Sequence, residues 1–411
     1  MRILTSSDTR AVARLLDHQS RRDPAIERRV AAILADVRKG GDRAVVAYAK
    51  RFDGLTGPME IDPDAIAEGA AQVPARVRRA LRQAARHIRE VAKSQVPASR
   101  KVQVAPGVLV EQRVTPLDRV GCYVPGGRYP LPSSLLMTAI PARVAGVPEV
   151  VAVCPRPEPV VLAAALEAGV DRLFRLGGAH AIGALAYGTP TIPRVDKIVG
   201  PGNAYVAAAK TLVQPDCAID FQAGPSEIVV VASKGNPAWV AADLIAQAEH
   251  DVDARAILLT PSKRFATQVH RAVADQLPAE GPARDALARN GGIVVTRTLK
   301  EAIELANAIA PEHLVCDDEA VVEGVTRAGA VFVGPWTAQA CGDYATGSNH
   351  VLPTGGAARF RGGLGAADFV RVRSVQRLTR RGLQAIGPAV VTLAEAEGLA
   401  AHAASVKVRL S

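Results

Sequence analysis

Two groups of polar residues carry most of the chemistry this chain can offer. Glu312 and His313 follow Ala310-Pro311 at the expected end of a helix over 299–308. A His beside a Glu sets a group of near-neutral pKa next to a carboxylate, the equipment of general acid/base catalysis. Neighbours in sequence do not share a helix face, so this pair needs a loop conformation to serve one substrate. A capping His beside a solvated Glu is the alternative reading. In the second group, Gln247 and His250 lie three apart on an expected helix over 239–250, so both side chains leave one face at its carboxyl end. Asp343 and His350 flank the glycine-bearing loop Gly342-Asp-Tyr-Ala-Thr-Gly-Ser-Asn-His350, and His402 follows Glu397 near the chain end. Together these make an N/O donor set suited to zinc or another borderline divalent ion. For any single one of these histidines, a hydrogen-bonded structural role is the alternative.

Glycine-rich turns follow expected strands at Leu176-Gly-Gly-Ala-His180 and Val199-Gly-Pro-Gly-Asn203. Backbone N–H groups at such helix starts favour anions, so a pyrophosphate could sit at either; an ordinary tight connection is the other reading. A third cluster, Tyr123-Val-Pro-Gly-Gly127, sets an aromatic ring beside a turn, which suits a nucleotide base or a plain loop. Walker loops, His-Glu-x-x-His, Gly-x-Ser-x-Gly and a strand-linked Gly-x-Gly-x-x-Gly are all absent.

These groups need a scaffold, and the hydrophobic pattern predicts one. From about 147 to 333, short β-branched runs at 149–154, 171–176, 195–199, 227–232, 256–260, 293–296 and 330–333 alternate with Ala- and Leu-rich segments such as 160–167, 179–187 and 239–248. That alternation predicts βαβ units in parallel sheets, better split into two sheets than forced into one. The first hundred residues read as helices, with a cap candidate at Ser7/Asp8 and a break at Gly40-Gly41. The last forty return to helical periodicity and end in Val406-Lys-Val-Arg-Leu410, which reads as a terminal strand. His18, His87 and His270 lie in basic helical stretches and read as surface residues.

Composition removes several functions. The chain has 411 residues, 48% hydrophobic and 22% charged, enough for two to four domains with their own cores. Of its net charge of +10, residues 1–101 supply +9, as 21 Lys+Arg against 12 Asp+Glu. There Arg78, Arg82, Arg86 and Arg89 ride opposite Val77, Leu81, Ala84, Ile88 and Val91, as on a solvated helix. Aromatics are 4% and do not interleave with the basic residues, so nucleic-acid binding is not expected. No apolar run reaches the ~18 residues of a membrane span, and the start lacks a signal-peptide core. A soluble cytoplasmic protein with no membrane partner is the expectation. The five cysteines hold no Cys-x-x-Cys pair and are expected as free thiols.

Seven segments in series resemble the histidinol dehydrogenase family: 121–127, 141–147, Val195-Asp-Lys-Ile-Val-Gly-Pro-Gly-Asn203, Ala223-Gly-Pro-Ser-Glu227, Gln247-Ala-Glu-His250, Pro311-Glu-His-Leu314 and 342–353. They span essentially the whole chain in order. The resemblance implies an α/β fold of two incomplete Rossmann-like parallel-sheet domains, one inserted in the other, with small helical terminal segments. It implies an N-terminal segment 1–25, a first α/β domain over 26–121 and 227–366 with the catalytic Glu-His, an inserted NAD-binding domain 122–226, and a C-terminal segment 367–411.

The implied reaction oxidises L-histidinol to L-histidine through histidinal, in two successive NAD-dependent hydride transfers, the last step of histidine biosynthesis. The resemblance gives His313 as the base and Glu312 as activator of water. It gives Gln247, His250, Asp343 and His402 as ligands of Zn2+. Ser226 and Glu397 match substrate positions, with His350 near them, and His313 and the metal ligands also face the substrate. Tyr123, His180 and Asn203 match NAD contacts, although His180 stands where the family has Gln. It further implies a homodimer with shared sites, in which the C-terminal segment gives Glu397 and His402 to the partner. The rival reading within this fold is a zinc- and NAD-dependent dehydrogenase of another primary alcohol, such as a sulfonated diol. From another class, the rival is a nucleic-acid binder.

Overall fold

The computed structural model describes residues 1–16, 23–126, 129–221 and 224–411; His18, Gly127 and Ala223 lie outside them. Among the described residues, fourteen strands form three sheets. Apolar runs buried on both faces, such as Ile228–Val231 and Val150–Val153, build the inner strands of the first two, as parallel strands covered by helices require. In the six-stranded sheet the order is β1 (Arg2–Thr5), β11 (Gly291–Val295), β10 (Arg255–Thr260), β9 (Glu227–Val231), β12 (His313–Cys316) and β13 (Ala330–Val333), all parallel. The five-stranded sheet runs β6 (Arg172–Phe174), β5 (Glu149–Val153), β4 (Arg119–Tyr123), β7 (Lys197–Val199) and β8 (Ala218–Ile219), also parallel. The seven expected strand regions divide between these two sheets: three in the five-stranded and four in the six-stranded one.

The helical reading of the first hundred residues needs an addition: β1 is a strand at the edge of the six-stranded sheet, paired with β11. Asp8 caps the next helix, Thr9–Leu16, by accepting from the Ala11 N–H at 3.0 Å, and Gly41, at φ 52°, separates Pro24–Gly40 from Asp42–Phe52. The helices between residues 24 and 95 pack on the five-stranded sheet: Val30, Leu34 and Val37 share a core with Ile182 and Phe174, and Ala85 and Ile88 share one with Leu135 and Leu173. The expected grouping of 26–121 with 227–366 is therefore not the packing grouping of these helices.

The third sheet is antiparallel and unforeseen in the sequence. β14 (Val370–Leu378) pairs along its whole length with β3 (Val108–Pro116), which pairs with β2 (Arg100–Ala105). It carries the last two helices, Arg380–Ala396 and Ala400–Leu410, the second packed chiefly on the first. The terminal strand expected at 406–410 is thus a helix. Val406 and Leu410, four apart, both pack on Gly387, which is the spacing of one helix face. No helix is long and apolar enough to cross a membrane among the described residues.

Candidate active site

Ala310 closes the helix Leu299–Ile309 in a left-handed conformation, φ 52°, and Pro311 stops it from continuing. Glu312 and His313 follow, with His313 the first residue of β12. The pair thus sits at a strand entrance, beside the start of β9, where the sequence suggested a loop. There Glu227 holds both. Its N–H donates to Glu312 Oε2 at 2.8 Å, and its carbonyl accepts from His313 Nδ1 at 3.0 Å. Glu312 Oε2 is 3.5 Å from His313 Nδ1, and both side chains are buried. A proton on Nδ1 leaves Nε2 as the acceptor. His313 Nε2 has no hydrogen-bond partner among the described residues, and Asp343 Oδ1 stands 3.8 Å away. Burial opposes a charge on His313, but Glu312 and Asp343 outweigh it and push the imidazole up to about 10.

Asp343 belongs to the short helix Ala340–Tyr344, and its Oδ2 accepts from Gln339 Nε2 at 2.8 Å. Burial would raise its carboxyl pKa, yet the imidazoles of His313, His350 and His250 hold it below the usual range. The loop beyond is pinned at two points. His350 Nδ1 donates to the Asp343 carbonyl at 2.9 Å, with its Nε2 at 3.4 Å from Ser134 Oγ, and His87 Nδ1 donates to the Ala345 carbonyl at 2.6 Å. His87 is therefore a loop anchor and not the plain surface residue expected. His270 likewise is half-buried, and its Nε2 donates to the Met1 carbonyl at 3.2 Å.

Gln247 lies in the last turn of the helix Pro237–Ala248, which ends just short of His250. It is buried, and its Oε1 has no hydrogen-bond partner among the described residues. Leaving a buried amide oxygen bare is unfavourable unless something binds there. His250 Nδ1 donates to the Ala246 carbonyl at 3.1 Å, which leaves its Nε2 lone pair for a ligand, the usual support of a metal-binding imidazole. One expected ligand is not brought in. His402, like Glu397, is exposed on the C-terminal helix pair. Among the described residues no group of three or more His, Cys, Asp or Glu is placed to hold a metal ion. Ser226 is half-buried immediately before β9, with its carbonyl accepting from the Arg255 N–H at 2.9 Å.

The five-stranded sheet offers a separate crevice. Its chain path runs from β4 outward through β5 to β6, then returns to β7 on the other side of β4. Ligands of open α/β sheets bind at such a reversal, outside the carboxyl ends of the strands. Tyr123 ends β4, and Gly200–Asn203 leaves β7 there. Asn203 is exposed and caps the helix Ala204–Val213, its Oδ1 accepting from the N–H groups of Tyr205 and Val206 at 3.0 and 3.2 Å. Tyr123 is buried, its hydroxyl accepting from the Gly178 N–H at 3.0 Å, so its ring is not the free platform suggested by sequence. Burial pushes its phenol up to about 12.

His180 departs from the expected cofactor contact. It is 1% exposed, with Nε2 at 2.8 Å from Asp53 Oδ2 and its ring stacked on Tyr48. The same Asp53 oxygen accepts from the Gly177 N–H at 2.9 Å. The Gly177 and Gly178 N–H groups at the start of the helix Gly178–Tyr187 are therefore taken by Asp53 and Tyr123, as those of Tyr205 and Val206 after β7 are taken by Asn203.

Three supporting residues escaped sequence reasoning: Glu227, Gln339 and Asp53. Only Glu227 had a signal, an acid opening the apolar run Ile228-Val-Val-Val231. The four buried cysteines, Cys122, Cys154, Cys217 and Cys316, and the exposed Cys341 are free thiols.

Residues 16–410 match the family described as histidinol dehydrogenase. The chain is 46% identical over 415 residues to histidinol dehydrogenase of Bordetella parapertussis, covering 97% of this chain and 94% of that protein. It is 48% identical over 416 residues to that of Gluconobacter oxydans, covering 98% and 96%. Its fold is similar to a crystal structure of histidinol dehydrogenase from Elizabethkingia anophelis, with a TM-score of 0.95 and 34% identity, over 100% of this chain and 98% of that one. The order of the sheets, the Glu-His pair at the head of β12 and these likenesses agree: this chain belongs to the histidinol dehydrogenase family.

Proposed function

We propose that this protein oxidises L-histidinol to L-histidine in two successive NAD-dependent steps, the last step of histidine biosynthesis, with Glu312 and His313 handling the protons. The observation that carries this is the buried ring of His313, whose Nε2 has no hydrogen-bond partner among the described residues and whose orientation is fixed by Nδ1–H on the Glu227 carbonyl. His313 takes the alcohol proton as the carbon gives up a hydride. Glu312 draws a proton from water as the hydroxide adds to the aldehyde carbon. After releasing its first proton, His313 takes the remaining hydroxyl proton of the hydrate anion as the second hydride leaves, so one alcohol and one water give the carboxylate, two hydrides and three protons.

Gln247, His250 and Asp343 are the residues that would hold zinc, completed by His402 of the partner subunit. The bare Gln247 Oε1 and the Nδ1-anchored His250 fit such an ion. Bound zinc supplies an anchor that orients the imidazole and amino groups of the substrate. With such an ion bound, Asp343 would lose part of its pull on the His313 imidazole, which would favour the neutral form a base requires. NAD takes the crevice at Tyr123 and Gly200–Asn203, and Ser226 and the partner subunit's Glu397 face the substrate. The C-terminal helices leave Leu393 and Val408 about two-thirds exposed, apolar surface that a second copy would cover.

Incubation of the zinc-loaded protein with L-histidinol and NAD, followed by chromatography, tests the reading. Histidine as the product supports it. Turnover of a sulfonated diol but not of histidinol would replace it with the related alcohol dehydrogenase.

A further inference from the structure

The turn after β7 is gripped from inside by a buried ion pair. Gly200 has φ +116°, and a Cβ built there would lie 2.2 Å from the Tyr123 carbonyl oxygen, so the two backbones touch. The Gly200 N–H donates to Asp220 Oδ2 at 2.7 Å, and the Gly200 carbonyl accepts from Lys210 Nζ at 2.9 Å. Lys210 and Asp220 also pair directly, with side chains 3% and 1% exposed. Lys210 lies on the helix Ala204–Val213, whose start the turn forms, and Asp220 follows β8, the next strand in the sheet. Asp220 Oδ1 accepts further from the Phe221 N–H at 2.6 Å.

A buried ion pair is a weak source of stability, since apolar residues of similar volume often do as well. Apolar residues cannot fix both polar groups of one glycine in a strained turn. The N–H and the carbonyl of Gly200 would otherwise be free to rotate, and Tyr123 stops the turn from collapsing onto β4.

We propose that Lys210 and Asp220 are positioning residues for the dinucleotide, acting through Gly200 to hold the Gly200–Asn203 turn in its binding conformation before the cofactor arrives. This rests on the reading that NAD occupies the crevice between β4 and β7. Preorganisation of this kind appears in cofactor affinity more than in the chemical step.

The test is NADH binding and steady-state kinetics of the double variant Lys210→Met/Asp220→Asn, which neutralises both charges together. The expected result is a rise of about tenfold or more in the NADH Kd and in KM for NAD, with zinc content and KM for histidinol unchanged and kcat altered less than KM. Lys210→Arg, which keeps a donor for the Gly200 carbonyl, restores most of the affinity. A folded double variant that binds NADH as tightly as the wild type overturns the proposal. Wild-type protein that binds no NADH overturns the cofactor reading instead. If the double variant does not fold, hydrogen exchange on the wild type decides. The Gly200 amide should be protected without NAD, and exchange as fast as in an open loop overturns the proposal.

Discussion

His313 donates through Nδ1 to the backbone carbonyl of Glu227, 3.0 Å away on the neighbouring strand, and this one bond sets which ring nitrogen can take a proton. The N–H of the same Glu227 holds Glu312 at 2.8 Å, so one strand entrance aims both candidate catalytic side chains. Replacing His313 by Asn removes the Nε2 acceptor. We expect kcat to fall by roughly 10²–10⁴, with NADH affinity and melting temperature little changed. Steady-state kinetics with a parallel melt checks this, and a loss under tenfold would leave His313 without the base role.

Glu312→Gln keeps an oxygen for the Glu227 N–H but cannot accept a proton. Only the second oxidation uses water, so this variant should convert histidinol to the aldehyde stage more readily than histidinal to histidine. Single-turnover assays started from each substrate separate the halves. Equal losses in both would contradict the assigned division of labour.

Gln247→Ala removes the buried oxygen that has no hydrogen-bond partner among the described residues, with no hydrogen bond lost. The expected outcome is a protein that folds normally and binds zinc about 10–100-fold more weakly. Zinc content after dialysis against a graded chelator reads this out. Unchanged retention would remove Gln247 from the ligand set.

His180→Gln keeps a donor for Asp53, whereas His180→Leu leaves the carboxylate with one fewer partner in a buried place. The first should shift stability by under about 1 kcal/mol and the second should cost about 1–3 kcal/mol, with NADH affinity nearly the same in both. Denaturant melts and NADH titration give the two numbers. A selective loss of NADH affinity in His180→Gln would restore His180 as a cofactor contact.

How far the sequence could be read depends on burial. Seven of the nine strands described between 149 and 333 were legible because parallel strands covered on both faces read as unbroken apolar runs, as in Ile228-Val-Val-Val231, whereas the two-residue β8 and the four-residue β12 were too short to show. β2, β3 and β14 were hidden because the antiparallel sheet is largely solvated: Arg371, Arg373 and Arg377 interrupt β14, and Arg100 and Lys101 open β2. At the C-terminus, Val406-Lys-Val-Arg-Leu alternates like a strand, yet Val406 and Leu410 are also four apart, and their packing on Gly387 selects the helix. The site shows the same division. Gln247 and His250 declared themselves by helical spacing, and Glu312-His313 by adjacency. The Asp53–His180 contact joins residues 127 apart, and His87 reaches Ala345 across 258, separations that no local pattern encodes.

The most direct test of the whole account is the NADH yield from a limiting amount of L-histidinol, with NAD in excess, before and after removal of the metal. Each histidinol should yield two NADH, a yield lost on chelation and restored by zinc. A folded, zinc-loaded protein that yields no NADH from histidinol, or a full yield that survives chelation, would contradict it.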